Sequence, residues 1–78
     1  MSHKLFVIMA DSHIVALYSD LQKAKEGLKL IYNTTPNYTY YSYEINVHIL
    51  IDNEYVATNE SYLYEFDQFQ FKGANSLT

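Results

Sequence analysis

The chain has 78 residues, enough for one small domain that buries only about 60% of its unfolded surface. It has no cysteine, which excludes disulfides and thiolate metal sites and leaves three histidines and the carboxylates as the only metal donors. Five lysines, no arginine and nine carboxylates give a net charge of −4, which argues against duplex nucleic acid, whose binding draws on a basic and usually arginine-rich face.

Lys4 to Ala10 (KLFVIMA) is a continuous apolar run of strand formers, as in a central strand buried on both faces. Leu5, Val7 and Met9 fall on one face and Phe6 and Ile8 on the other. Asp11, Ser12 and His13 read as a turn, and Ile14 to Tyr18 as the returning strand of a hairpin.

A helix is predicted from Asp20 to about Tyr32, ending at Asn33 with Pro36 beyond. Ser19 is the expected N-cap, with Gln22 completing a capping box and Asp20 favouring the positive end of the dipole. Leu21, Ala24, Leu28, Ile31 and Tyr32 form one apolar stripe, while Gln22, Lys23, Lys25, Glu26 and Lys29 face water. Gly27 costs about 1 kcal/mol against alanine in mid-helix, and its place on the rim of the stripe suggests close approach to the sheet. Leu30 lies opposite the stripe, as a contact residue would.

Asn33 to Asn37 reads as a loop. From Tyr41 to Ile51 every odd position is apolar, and the even positions are polar except Leu50. This alternation predicts a strand with one buried face, and a strand from Tyr38 to Ile51 would span roughly 45 Å at about 3.3 Å per residue. So long a strand invites a partner to pair with it. Asp52-Asn53 suits a tight hairpin turn, Tyr55 to Ala57 begins the return, and the polar Thr58 to Ser61 is a place to bulge. Tyr62, Tyr64 and Phe66 alternate, but Phe69 and Phe71 take the opposite phase. The slip at Asp67-Gln68 implies a bulge or a strand end.

These elements make an α+β domain over residues 1–72. The expected architecture is an antiparallel sheet of about four strands in ββαββ order, with a short fifth as an option, and one amphipathic helix on one face. Residues 73–78 are expected to form a mobile tail.

No chemistry-bearing constellation emerges. Asp11-Ser12-His13 contains triad residue types, but triad members converge from separate elements, and adjacent turn residues point apart. His48 reads as a solvated strand histidine. The glycines, Gly27 and Gly73, make no phosphate loop. Sequons at Asn33, Asn37 and Asn59 are expected to be unused, since no segment reads as a secretory signal. No run is long and apolar enough to span a bilayer. The expectation is therefore a non-enzyme without cofactor or metal, in a virion or a host cytoplasm, with no nucleic-acid or membrane partner.

Nine tyrosines and four phenylalanines offer interface-forming rings, although an AT-rich genome yields the same bias. Leu30, Tyr38, Tyr40, Tyr62 and Tyr64 are the candidate protein-contact residues. One helix covers one face of a sheet, so the other face, with Tyr40, Tyr62 and Tyr64 as expected neighbours, calls for the C-terminal Phe69 and Phe71 or a second chain. A homo-oligomer, or a place in a larger assembly, is expected.

Over residues 4–31 the chain resembles small proteins of large DNA viruses and phages, in which a hairpin runs into a Tyr-Ser-Asp-Leu-x-Lys-Ala helix start. Tyr18, Ser19, Asp20, Leu21, Lys23 and Ala24 carry the match. The resemblance implies a viral origin and carries over no catalytic residue. It suggests a minor component of a virus particle, or alternatively an inhibitor or adaptor that binds a host protein through an acidic, Tyr-rich face.

Overall fold

A computed structural model describes residues 3–36 and 42–73. Strands β1 (Lys4–Ala10) and β2 (His13–Tyr18) form a hairpin, followed by helix α1 (Leu21–Thr34). Strands β3 (Tyr43–Ile51), β4 (Glu54–Glu65) and β5 (Gln68–Lys72) complete the chain. One open antiparallel sheet results, with strand order β2-β1-β3-β4-β5. The α+β class stands; four strands in ββαββ order give way to five in ββαβββ order.

The alternation that predicts the buried face of β3 holds. Tyr43, Ile45 and Val47 are buried beneath the helix, as are Phe6, Ile8 and Ala10 of β1. Ala24 and Leu28 of α1 close this core, with Leu21 and Ile31 packed at its margin. Tyr32 is at the rim, 41% exposed, with its ring edge-on to Tyr43 at 5.4 Å and Tyr64 at 5.3 Å.

The strand expected from Tyr38 begins at Tyr43. At its start, the Ser42 backbone N–H donates to Asp11 Oδ1 at 2.9 Å, and the Asp11 N–H donates to Ser42 O at 3.1 Å. Tyr38, Tyr40 and Tyr41 lie outside the described residues, as does the chain beyond Gly73 where the tail was expected. At nine residues β3 is not the longest strand; β4 has twelve. Nor is β3 short of partners, since β1 pairs one side and β4 the other. The open edges are β2 and β5.

Each hairpin turns on two residues with positive φ: Asp11-Ser12, Asp52-Asn53 and Phe66-Asp67. Of the two alternatives at Asp67-Gln68, a bulge or a strand end, the third turn bears out the strand end: β4 stops at Glu65 and β5 starts at Gln68. Across a two-residue turn, an even position faces an odd one, so Tyr64 opposes Phe69 and Tyr62 opposes Phe71 on one face. The phase slip is a chain reversal. The true irregularity in β4 is at the polar stretch, where Val47 faces Thr58 to Glu60 because the register shifts between Asn46 and His48. The Thr58 hydroxyl donates to Val47 O at 2.7 Å and accepts from the Glu60 N–H at 3.1 Å, so the bulged backbone remains bonded.

The helix cap also differs by one residue. Asp20, with extended backbone, accepts from the N–H of Gln22 at 2.8 Å and of Lys23 at 3.4 Å. Ser19 is not the cap. A carboxylate in that position combines the cap bond with the attraction of the helix N-terminus for negative charge.

Candidate functional site

Two surfaces remain after the fold is built. The first is the sheet face away from α1. On β1 and β2 it carries Leu5, Val7, Met9, Ile14 and Leu17, since Val7 pairs with Leu17 and Met9 with Ile14. Ile14 is 62% exposed and Leu17 56%, whereas Val7, at the centre, is only 1% exposed and Leu5 and Met9 are half-buried. On β3 to β5 the same face is mixed: Glu44, Asn46 and His48 alternate along β3 up to Leu50, and Tyr55, Ala57, Ser61, Leu63, Gln70 and Lys72 lie beyond. The described face is thus aliphatic and uncharged at the β2 edge and mixed, with charged, polar and apolar side chains, over β3 to β5.

The second surface is on the helix side, where α1 covers β1 to β3 and leaves an aromatic shelf over β4 and β5. Tyr62 and Phe71 stack at 5.0 Å and Tyr64 and Phe69 at 4.8 Å, both tilted. The Lys25 ammonium is 5.3 Å from the Tyr62 ring centroid and 5.5 Å from that of Phe69, and Lys29 reaches the same Phe69 ring at 6.0 Å. These are cation–π contacts. The Tyr64 hydroxyl donates to Asp67 Oδ1 at 3.4 Å. Burial pushes the Tyr64 phenol above its ordinary value of 10.0, and the Asp67 carboxylate adds to the shift.

Of the expected contact residues, Leu30 is 64% exposed and belongs to neither surface. Tyr62 and Tyr64 lie on the helix side, not on the open face, because their partners Ile45 and Tyr43 do. Phe69 and Phe71 share that side as well, so β5 extends the sheet and these two rings do not cover the open face. The two lysines of the shelf were read as solvent-facing; Lys25 is half-buried over the rings.

Asp11 is engaged with Ser42, which also brings its Oγ to 3.2 Å, and its neighbour Ser12 forms the turn. His48 stands on the open face beside Asn46 and Glu44 as expected, half-buried. Asn33 is exposed in the last helical turn and Asn59 in the β4 bulge; Asn37 lies outside the described residues. Among the described residues, no group of three or more histidine or carboxylate side chains could hold a metal ion. Nor is any helix there long and apolar enough to cross a membrane. Comparison with protein-family models, with curated proteins and with solved structures finds no match.

Proposed function

We propose that this chain is a non-enzymatic protein-interaction module that associates with itself through the uncharged half of its open sheet face. The observation that carries this reading is the row Leu5, Val7, Met9, Ile14 and Leu17 beside an open edge, in which Ile14 and Leu17 are more than half exposed. A second copy offers the same row, so a twofold contact sets aliphatic side chains against aliphatic side chains. Each copy carries a net charge of −4, and the row itself holds no carboxylate, with Glu44 of β3 beside Met9 at its margin. Incorporation into a virus particle as a minor component is the further proposal to which the viral resemblance leads. The adaptor reading has less support, because Tyr43 and Tyr64 are buried and add nothing to an exposed tyrosine face.

Light scattering after size exclusion, at micromolar protein, tests the reading. Wild type is expected at twice the chain mass, and Leu17→Glu at one chain mass with unchanged far-ultraviolet circular dichroism. A wild type that stays at one chain mass throughout the micromolar range contradicts it.

A further inference from the structure

We propose that the β5 edge, together with the lysine-capped shelf beside α1, receives an acidic, extended segment of a partner protein as a sixth strand. This surface is separate from the self-contact face. Three observations carry the inference.

The first is the edge itself. In an antiparallel ladder, the rungs that flank a two-residue turn bond to each other and the next rung does not. Gln68, Gln70 and Lys72 therefore direct their backbone groups to β4, and Phe69 and Phe71 direct theirs outward. Edge strands are normally blunted by charge, proline or a bulge. β5 (QFQFK) has no proline and no register shift, and its one charge is at the last residue. An added strand would find the Phe69 and Phe71 amides and carbonyls open for pairing.

The second is charge. Lys23, Lys25 and Lys29 place three of the five lysines on α1. The ammonium groups of Lys25 and Lys29 rest on rings, and no described carboxylate pairs with either. Their position over the Tyr62 and Phe69 rings blocks those faces to a stacking base, which favours a carboxylate-bearing chain over a single-stranded nucleic acid. On a chain of net charge −4, an acidic partner is repelled by most of the surface and attracted here, which directs it to one site.

The third is the turn at the head of β5. Phe66 is 89% exposed with φ 52°, a left-handed conformation that a bulky side chain adopts at a cost. The other two hairpins place Asp, Ser or Asn at such positions, residues suited to them. A strained, exposed ring at the start of a free edge, with Phe71 56% exposed further along, fits an anchor for a partner's apolar side chains.

The test is amide hydrogen exchange, followed by NMR, on the full chain with three probes. These are a capped peptide alternating aspartate with valine, the same peptide with lysine in place of aspartate, and oligothymidylate. The aspartate peptide is expected to slow exchange at Phe69 and Phe71. Lys25→Gln combined with Lys29→Gln is expected to weaken that binding about tenfold while the circular dichroism stays unchanged. Phe66→Ala is expected to weaken it as well. No slowing at Phe69 and Phe71 overturns the proposal. Equal slowing by the lysine peptide also overturns it, because the edge then pairs without regard to charge. Binding of oligothymidylate alone at the shelf overturns it in favour of a nucleic-acid site. None of these results depends on whether the open face dimerises, so the two proposals fail separately.

Discussion

Gly27 is buried in mid-helix because the Tyr18 ring lies across it: a Cβ built there would come within 2.6 Å of Cζ and 2.8 Å of Cε2 of that ring. Alanine would gain about 1 kcal/mol of helix propensity, yet overpacking costs about 1–3 kcal/mol. Gly27→Ala is therefore expected to destabilise wild type and to stabilise a Tyr18→Leu background, a sign reversal that urea denaturation of the four variants would reveal. At the helix start, Asp20→Ala is expected to cost about 0.5–2 kcal/mol and Ser19→Ala close to nothing, since the cap bonds come from Asp20. Equal losses in thermal melts would restore the serine as cap. Tyr64 adds a pH dependence. Its phenol is shifted upward on folding, so its neutral form favours the native state. That contribution is complete below the ordinary value of 10.0 and is lost as pH rises through the higher folded value. Wild type should lose more stability than Tyr64→Phe between neutral pH and strongly alkaline pH; parallel losses would show that the phenol is not shifted.

The elements were legible where one periodicity ruled. Phe6 and Ile8 of β1, Tyr43, Ile45 and Val47 of β3 and Ala24 and Leu28 of α1 sit in the core where their spacing puts them, whereas Ile51 and Tyr32, at the ends of their elements, are exposed. Ile45 is fully buried at the crossing of these elements, so Ile45→Ala is expected to cost about 2–5 kcal/mol, as read by urea denaturation. A change below about 1 kcal/mol would mean the helix does not pack on this register. The third hairpin was harder to read. Phe66 is a poor turn residue, so the reversal at Phe66-Asp67 had no composition signal and showed itself only as a change of phase. Parity was the clue that remained, since a two-residue turn changes it and places Phe69 and Phe71 beside Tyr64 and Tyr62. The expected start of β3 at Tyr38 lies outside the described residues; the described strand begins at Tyr43, next to Ser42, whose N–H bonds the Asp11 carboxylate. The shelf lysines were readable in principle. Lys25 lies about 60° and Lys29 about 100° from Leu28 around the helix, on the same side as Tyr32, and so beside whatever sheet lies under that flank. Which strands those are is a matter of topology, which local spacing does not encode.

At the scale of the whole molecule, the one helix among the described residues lies on one face of the five-stranded sheet. That imbalance was visible in the sequence, because Leu5, Val7 and Met9 are apolar on the face opposite Phe6 and Ile8, and a single helix serves only one face. Tyr62 and Tyr64 were assigned to the wrong layer: across the two-residue turn Asp52-Asn53 even positions of β4 face odd positions of β3, and the β4 bulge shifts the register by two and keeps that parity, so both join Ile45 and Tyr43 on the helix side. The open face is instead aliphatic and uncharged at the β2 edge and mixed elsewhere, and the proposed self-association rests on the uncharged part. The most direct measurement is a set of intermolecular nuclear Overhauser effects in a mixture of isotope-labelled and unlabelled chains. The account predicts intermolecular signals among the methyl groups of Leu5, Val7, Met9, Ile14 and Leu17, and none from Leu30. Intermolecular signals centred on Leu30 or on the β5 phenylalanines, or no intermolecular signal at micromolar concentration and above, would contradict it.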